Sequence, residues 1–327
     1  MCKALTKVEQ IAQGVMSGDC RSIARAITII ENNTAEAKKL IISIYPHTGK
    51  AHIIGLTGPG GSGKSTLIEK IVREYRRKGK TVGVIAVDPT SPFTGGAFLG
   101  DRIRMQELST DEGVFIRSMA TRNFPGGIAK ATKDAVKVLD ASGRDIIIVE
   151  TVGAGQSEVE IIKVAQTIVV IHAPGLGDEI QAIKAGLMEI ADIFVVNKAD
   201  RENADKAVTD IQAILQLNNK EVAWRPPILK TTALTGEGVP QLIEKIEEHK
   251  RFLEKGLGRK RSLGKAETEL VEAIKEKVTS SIIDELRREG KLEELLQKII
   301  ERELDPASAA EKLLRGKFKK ALSDAKT

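Results

Sequence analysis

The chain has 327 residues, a formal charge of +6, 41% hydrophobic, 29% charged and 3% aromatic residues, a balance expected of a soluble globular protein of one large domain or two smaller ones. Its basic residues are interleaved with acidic ones, which argues against a nucleic-acid or membrane partner, and no apolar run approaches the ~18 residues that a membrane span needs. Two distant cysteines, Cys2 and Cys20, and four scattered histidines exclude a disulfide framework and a zinc spacing.

Residues 1–50 read as a helical extension. Val8, Ile11, Ala12 and Val15 share one helical face, as do Ile23, Ala26, Ile27 and Ile30. The stretch Tyr45 to Gly49 breaks that pattern. Lys3 and Lys7 are not followed by an apolar run, so no signal peptide is read and a cytoplasmic location is expected.

From 51 to 255, seven short apolar runs alternate with amphipathic stretches. The runs are HIIGLTG, TVGVIAVD, GVFIRSM, DIIIVET, TIVVIHAP, DIFVVNKAD and PPILKTT. The alternation predicts an α/β domain with a mostly parallel sheet flanked by helices. A ligand of such a sheet sits at the carboxyl ends of the strands. From 256 to 327 the composition changes. GLGRKRSLGK reads as a linker or turn. Leu270, Ile274, Val278, Ile282 and Ile283 then form a stripe at helical spacing, and Pro306 interrupts before a last helix. Such a stripe must cover something, so this C-terminal helical extension either folds back or forms a dimerisation arm.

The first apolar run leads into Gly58-Pro59-Gly60-Gly61-Ser62-Gly63-Lys64-Ser65-Thr66, which fits G-x-x-x-x-G-K-[ST] between a strand and a helix. Glycines let backbone N–H groups converge on phosphates, and the helix N-terminus adds partial positive charge. Lys64 would reach the β- and γ-phosphates, and the Ser65 hydroxyl would bind Mg²⁺. The chain therefore reads as a P-loop NTPase.

Asn197-Lys198-Ala199-Asp200 ends the run DIFVV and matches the guanine-reading pattern N-K-x-D. Asp200 would accept hydrogen bonds from the ring N1–H and the exocyclic amine of guanine. Adenine offers no such donor pair, and a buried Asp200 left unpaired would cost ~1–3 kcal/mol. Lys198 would pack its stem over the base, and Asn197 would tie its loop to the cradle. Thr232, Ala233 and Leu234, in TTALTGEG, would contact the guanine carbonyl through backbone N–H groups.

Glu150 ends the buried run DIIIV, where a carboxylate needs a compensating positive charge. Glu150-Thr151-Val152-Gly153 parallels the D-x-x-G of switch GTPases, in which the acid holds Mg²⁺ through water and the glycine N–H touches the γ-phosphate. Asp88 ends another run, and Asp101 follows a glycine-rich stretch. Asp88, Asp101 and Glu150 would meet one Mg²⁺, mostly through water. Gln156 is the candidate for orienting the attacking water.

Together GLTGPGGSGKSTL, VDPTSPFTGGAFLGDRIRM, ETVGAGQSEVEI, PGLGDEIQAIKAGLMEIADIFVVNKAD and TTALTGEGV resemble the MeaB/ArgK family. These are GTPases associated with methylmalonyl-CoA mutase and relatives of the human cobalamin-A protein. The resemblance is dense over about residues 40–250. It implies hydrolysis of GTP to GDP and phosphate by a chaperone that gates adenosylcobalamin loading of an acyl-CoA mutase. It implies protection of that mutase from inactivation, and a homodimer through the C-terminal arm. Its mobile switch segments map to residues 88–101, 153–158 and 177–186, with Gln181 and Lys184 coupling to the mutase. Two other classes stay open: a nickel metallochaperone GTPase, which usually carries a Cys/His cluster not seen here, and a P-loop kinase or ATPase of a transport system, which has no use for NKAD.

Overall fold

A computed structural model describes residues 5–32, 35–88, 106–120, 130–151, 160–175, 186–217 and 223–314. All seven apolar runs are strands: β1 (His52–Thr57), β2 (Val82–Asp88), β3 (Val114–Ala120), β4 (Ile146–Glu150), β5 (Thr167–His172), β6 (Ile193–Asn197) and β7 (Ile228–Thr231). They form one sheet in the order β3-β2-β4-β1-β5-β6-β7. Every pairing is parallel. Strands β4, β5 and β6 are buried along their whole length, which is why they read as unbroken Ile/Val runs rather than alternating ones.

Each face of the sheet has its own apolar cluster. On one face α4 (Lys64–Arg77) and α7 (Val239–Phe252) cover Ile54, Leu56, Ile146, Ile148, Val169 and Val195. On the other, α5 (Lys130–Ala141) and α6 (Ala204–Leu217) pack with Ile147, Val149, Val170 and Val196. The amino-terminal helices α1 (Lys7–Met16), α2 (Cys20–Glu31) and α3 (Ala35–Ile44) join that second cluster through Ile11, Val15, Ile23, Ile27, Leu40 and Ile44. Thr6 starts α1 with a capping box: its hydroxyl accepts from Glu9 N, and the Glu9 carboxylate accepts from Thr6 N. The buried Asp140 carboxylate accepts from the backbone N–H groups of Gly49, Lys50 and Ala51 at 2.5, 3.0 and 2.9 Å. One side chain of α5 thus fixes the path from the amino-terminal helices into β1.

The chain divides into two compact units, Met1–Gly256 and Leu257–Thr327. Gly256, at φ 130°, marks the break. The second unit holds α8 (Gly258–Arg288), α9 (Lys291–Ile300) and a helix at 306–314. GRKRSLGK is therefore helix rather than linker: Arg, Lys and Leu are good helix formers and outweigh two glycines. Pro306 opens the last helix, where its missing N–H costs nothing.

Candidate nucleotide site

Strand β1 lies between β4 and β5, and the cradle leaves its carboxyl end. This is where ligands bind in open parallel sheets. Gly58 departs at φ 141°, and a Cβ there would fall 2.0 Å from the Ile171 carbonyl oxygen. Gly63 precedes α4 at φ 90°, and its Cβ would meet Asn197 Nδ2 at 2.5 Å. Both close approaches require glycine. The loop passes through exposed Gly60 and Gly61 to Ser62, whose N–H donates to the Pro59 carbonyl. Lys64 opens α4, with Thr66 half-buried in its first turn. The buried Lys64 ammonium donates to the carbonyl oxygens of Gly58 at 2.6 Å and Pro59 at 3.1 Å. It therefore lies across the loop that the sequence marks as a phosphate cradle.

Leu56 of β1 is level with Glu150 of β4. Strand alternation turns Glu150 toward α4, the face shared by Ile146 and Ile148. There it is buried and accepts from Ser65 Oγ at 2.8 Å. The two groups singled out for Mg²⁺ on separate sequence grounds are thus in contact. Asp88 is the last residue of β2, but its side chain, like all of Asp101, Gly153, Gln156, Gln181 and Lys184, lies outside the described residues. Among the described residues no three His, Cys, Asp or Glu side chains gather as a metal site.

Asn197 ends β6 and is buried. Its Nδ2 donates to Ser62 O at 2.8 Å, and its Oδ1 accepts from Thr231 Oγ1 and Ala233 N, each at 3.1 Å. One amide therefore clamps the cradle to the 231–233 loop. Lys198, in the left-handed region at φ 56°, donates to Gly61 O at 2.7 Å. The Thr232 N–H is engaged by Glu237 O, while Leu234 stands exposed at the crown of that loop. Asp200 is exposed rather than buried, because it sits in the turn beyond the strand end.

Sequence reading missed several residues. Thr57 and Thr151 pair by their hydroxyls beneath the cradle. His172, at the end of β5, is buried, and burial lowers its pKa against a small opposing pull from Asp210. At the amino edge of the sheet His52 Nε2, Thr167 Oγ1 and His249 Nδ1 form a buried hydrogen-bonded chain with steps of 2.8 and 2.9 Å. His249 Nε2 lies 3.3 Å from Asp192 Oδ1. These residues belong to no local motif and meet only through the sheet.

A family model described as methylmalonyl Co-A mutase-associated GTPase MeaB matches residues 23–287. The chain belongs to the MeaB family. This MeaB-family chain is 50% identical over 311 residues to a putative GTPase of Pyrococcus abyssi, covering 94% of this chain and 96% of the relative. It is 35% identical to the GTPase ArgK of Escherichia coli, covering 77% and 78%. The crystal structure of a LAO/AO transport system kinase superposes with a TM-score of 0.72 at 25% identity, covering 96% of this chain and 99% of that one. The MeaB-family chain is a GTPase on a P-loop NTPase fold, related to proteins named for association with methylmalonyl-CoA mutase. Among the described residues no helix is long and apolar enough to cross a membrane.

Proposed function

We propose that this GTPase is the chaperone of an adenosylcobalamin-dependent acyl-CoA mutase, gating cofactor loading and protecting the mutase from inactivation. The observation that carries this reading is the family match over residues 23–287. The clamp of Asn197 between cradle and 231–233 loop supports the guanine half of it. Asp200 would read the two guanine donors, Lys198 would lie along the base, and the backbone of Thr232, Ala233 and Leu234 would face the guanine carbonyl. Gly58 to Thr66 would wrap the phosphates, with Gly153 at the γ-phosphate.

Ser65 Oγ against Glu150 is an all-oxygen donor set of the kind that Mg²⁺ takes. Ser65, Glu150, Asp88 and Asp101 would hold the ion, directly or through water. When bound, Mg²⁺ offsets charge on the transferring phosphoryl group. Lys64 would place its ammonium on the same oxygens, and Gln156 would orient the water. In this reading the protein is cytoplasmic and a homodimer through the C-terminal extension, with neither nucleic acid nor membrane as partner.

The test is capture of the cobalamin-dependent mutase from the same cell, with GDP and with a non-hydrolysable GTP analogue. Capture should depend on the nucleotide, and the mutase should accelerate GTP hydrolysis by about tenfold or more. Lys184→Ala should keep GTP affinity and lose the acceleration. No capture in either state, with unaltered hydrolysis, overturns the chaperone reading.

A further inference from the structure

Strands β1 and β4 end side by side. Their last backbone rung runs from Thr151 N to Leu56 O at 3.1 Å. Beyond it β1 turns into the cradle at Gly58. One more rung follows, made of side chains: Thr151 Oγ1 donates to Thr57 Oγ1 at 2.9 Å, and both residues are buried. Alternation along the strands puts this pair on the face of Ile147 and Val149, away from α4. Glu150, one residue before Thr151, points the other way and meets Ser65. The hydroxyl pair thus stands behind the carboxylate, across the sheet from the cradle helix.

We propose that the Thr57–Thr151 hydroxyl pair is a positioning device for GTP hydrolysis, setting the spacing of the two strand ends and so the place of the Glu150 carboxylate against Ser65. The inference rests on the reading of Glu150 as a metal-site acid. Stability alone does not call for hydroxyls here. A buried pair contributes little net stability, and two apolar groups of the same shape serve about as well. Spacing does call for them. Two hydroxyl oxygens approach to 2.9 Å, whereas two methyl carbons stop at about 3.5–4.0 Å. Valines at both positions would spread the strand ends by roughly 1 Å, a displacement able to cost up to about a hundredfold in rate.

The test uses the full chain and two double variants. Thr57→Val with Thr151→Val keeps the shape and removes both hydroxyls. Thr57→Ser with Thr151→Ser keeps both hydroxyls and deletes two buried methyls. The valine pair should lower kcat about tenfold and raise the Mg²⁺ needed for half-maximal rate, with KM for GTP and Kd for GDP within about twofold. The serine pair should lower Tm yet keep kcat within about twofold of wild type. A structural role would make kcat follow Tm instead. Wild-type kcat and Mg²⁺ response in the valine pair, or the same kcat loss in both pairs, overturns the inference. Where the valine pair does not fold, Thr151→Val alone replaces it, with the same expectation. Glu150→Gln separates the two readings. If its Mg²⁺ response is unchanged, the metal-site reading of Glu150 fails. If it shifts while the valine pair behaves as wild type, only the positioning inference fails.

Discussion

Asn197 and Asp200 are three residues apart and do different physical work. Asn197 is 1% exposed and satisfies Ser62 O, Thr231 Oγ1 and Ala233 N with one amide. Asn197→Ala leaves three buried polar groups without that partner, at about 1–3 kcal/mol each. Urea denaturation should therefore show a loss of about 3 kcal/mol or more, and GDP affinity should fall with it because the cradle loses its brace. Asp200 is exposed, so Asp200→Asn should leave stability within about 0.5 kcal/mol. It should still abolish GTP binding and admit xanthosine triphosphate, whose carbonyl at position 2 accepts from the new amide. Equal loss of stability in both variants would mean that Asp200 is a structural residue.

The polar chain at the amino edge joins four elements: His52 on β1, Thr167 on β5, Asp192 ahead of β6, and His249 on α7. Trp224 closes it, donating to Asp192 O and packing against His249. Burial, with Lys250 and His249 adding to it, lowers the His52 pKa from 6.5 to about 3. Between those values the unfolded chain binds a proton that the native His52 refuses. Stability therefore falls as pH drops from about 6.5 toward 3, by up to about 1.4 kcal/mol per pH unit from this residue. His172, also lowered by burial, acts in the same direction. Tm measured from pH 7 to pH 4 should fall, and His52→Gln should fall less steeply; parallel curves would mean that His52 titrates normally. The strands were legible in the chain: β4, β5 and β6, buried along their whole length, read as unbroken apolar runs, while β3 and β7, which carry Arg117 and Lys230, were marked by their alternation with helical stretches. The edge chain was not, because His52 and His249 are drawn together only by the placing of β5 beside β1 and of α7 over the sheet. The Thr57–Thr151 pair was hidden for the same reason, its members lying 94 residues apart. Local motifs locate a cradle and a base loop, but not the side chains that brace them from behind.

At the scale of the whole molecule, the second unit poses the remaining question. Its 31-residue helix α8 shows Leu270, Ile274 and Val278 at 61%, 52% and 48% exposure, in line at four-residue steps. Leu263 continues the line toward the amino end. An ideal helix of that length runs about 46 Å, long enough for one stripe to meet its copy over the ~600–1,000 Å² per partner that stable interfaces bury. The charged residues between the apolar positions keep the rest of the helix wet, so the contact is confined to one seam. If a second copy covers this seam, a charge in its middle must be buried without a partner, which costs several kcal/mol. The unaltered full chain should then sediment as a dimer, and Ile274→Glu as a monomer at the same concentration. Its GDP affinity should be unchanged, because Ile274 lies outside the unit that holds the cradle. A variant that still sediments as a dimer would move the interface off this stripe.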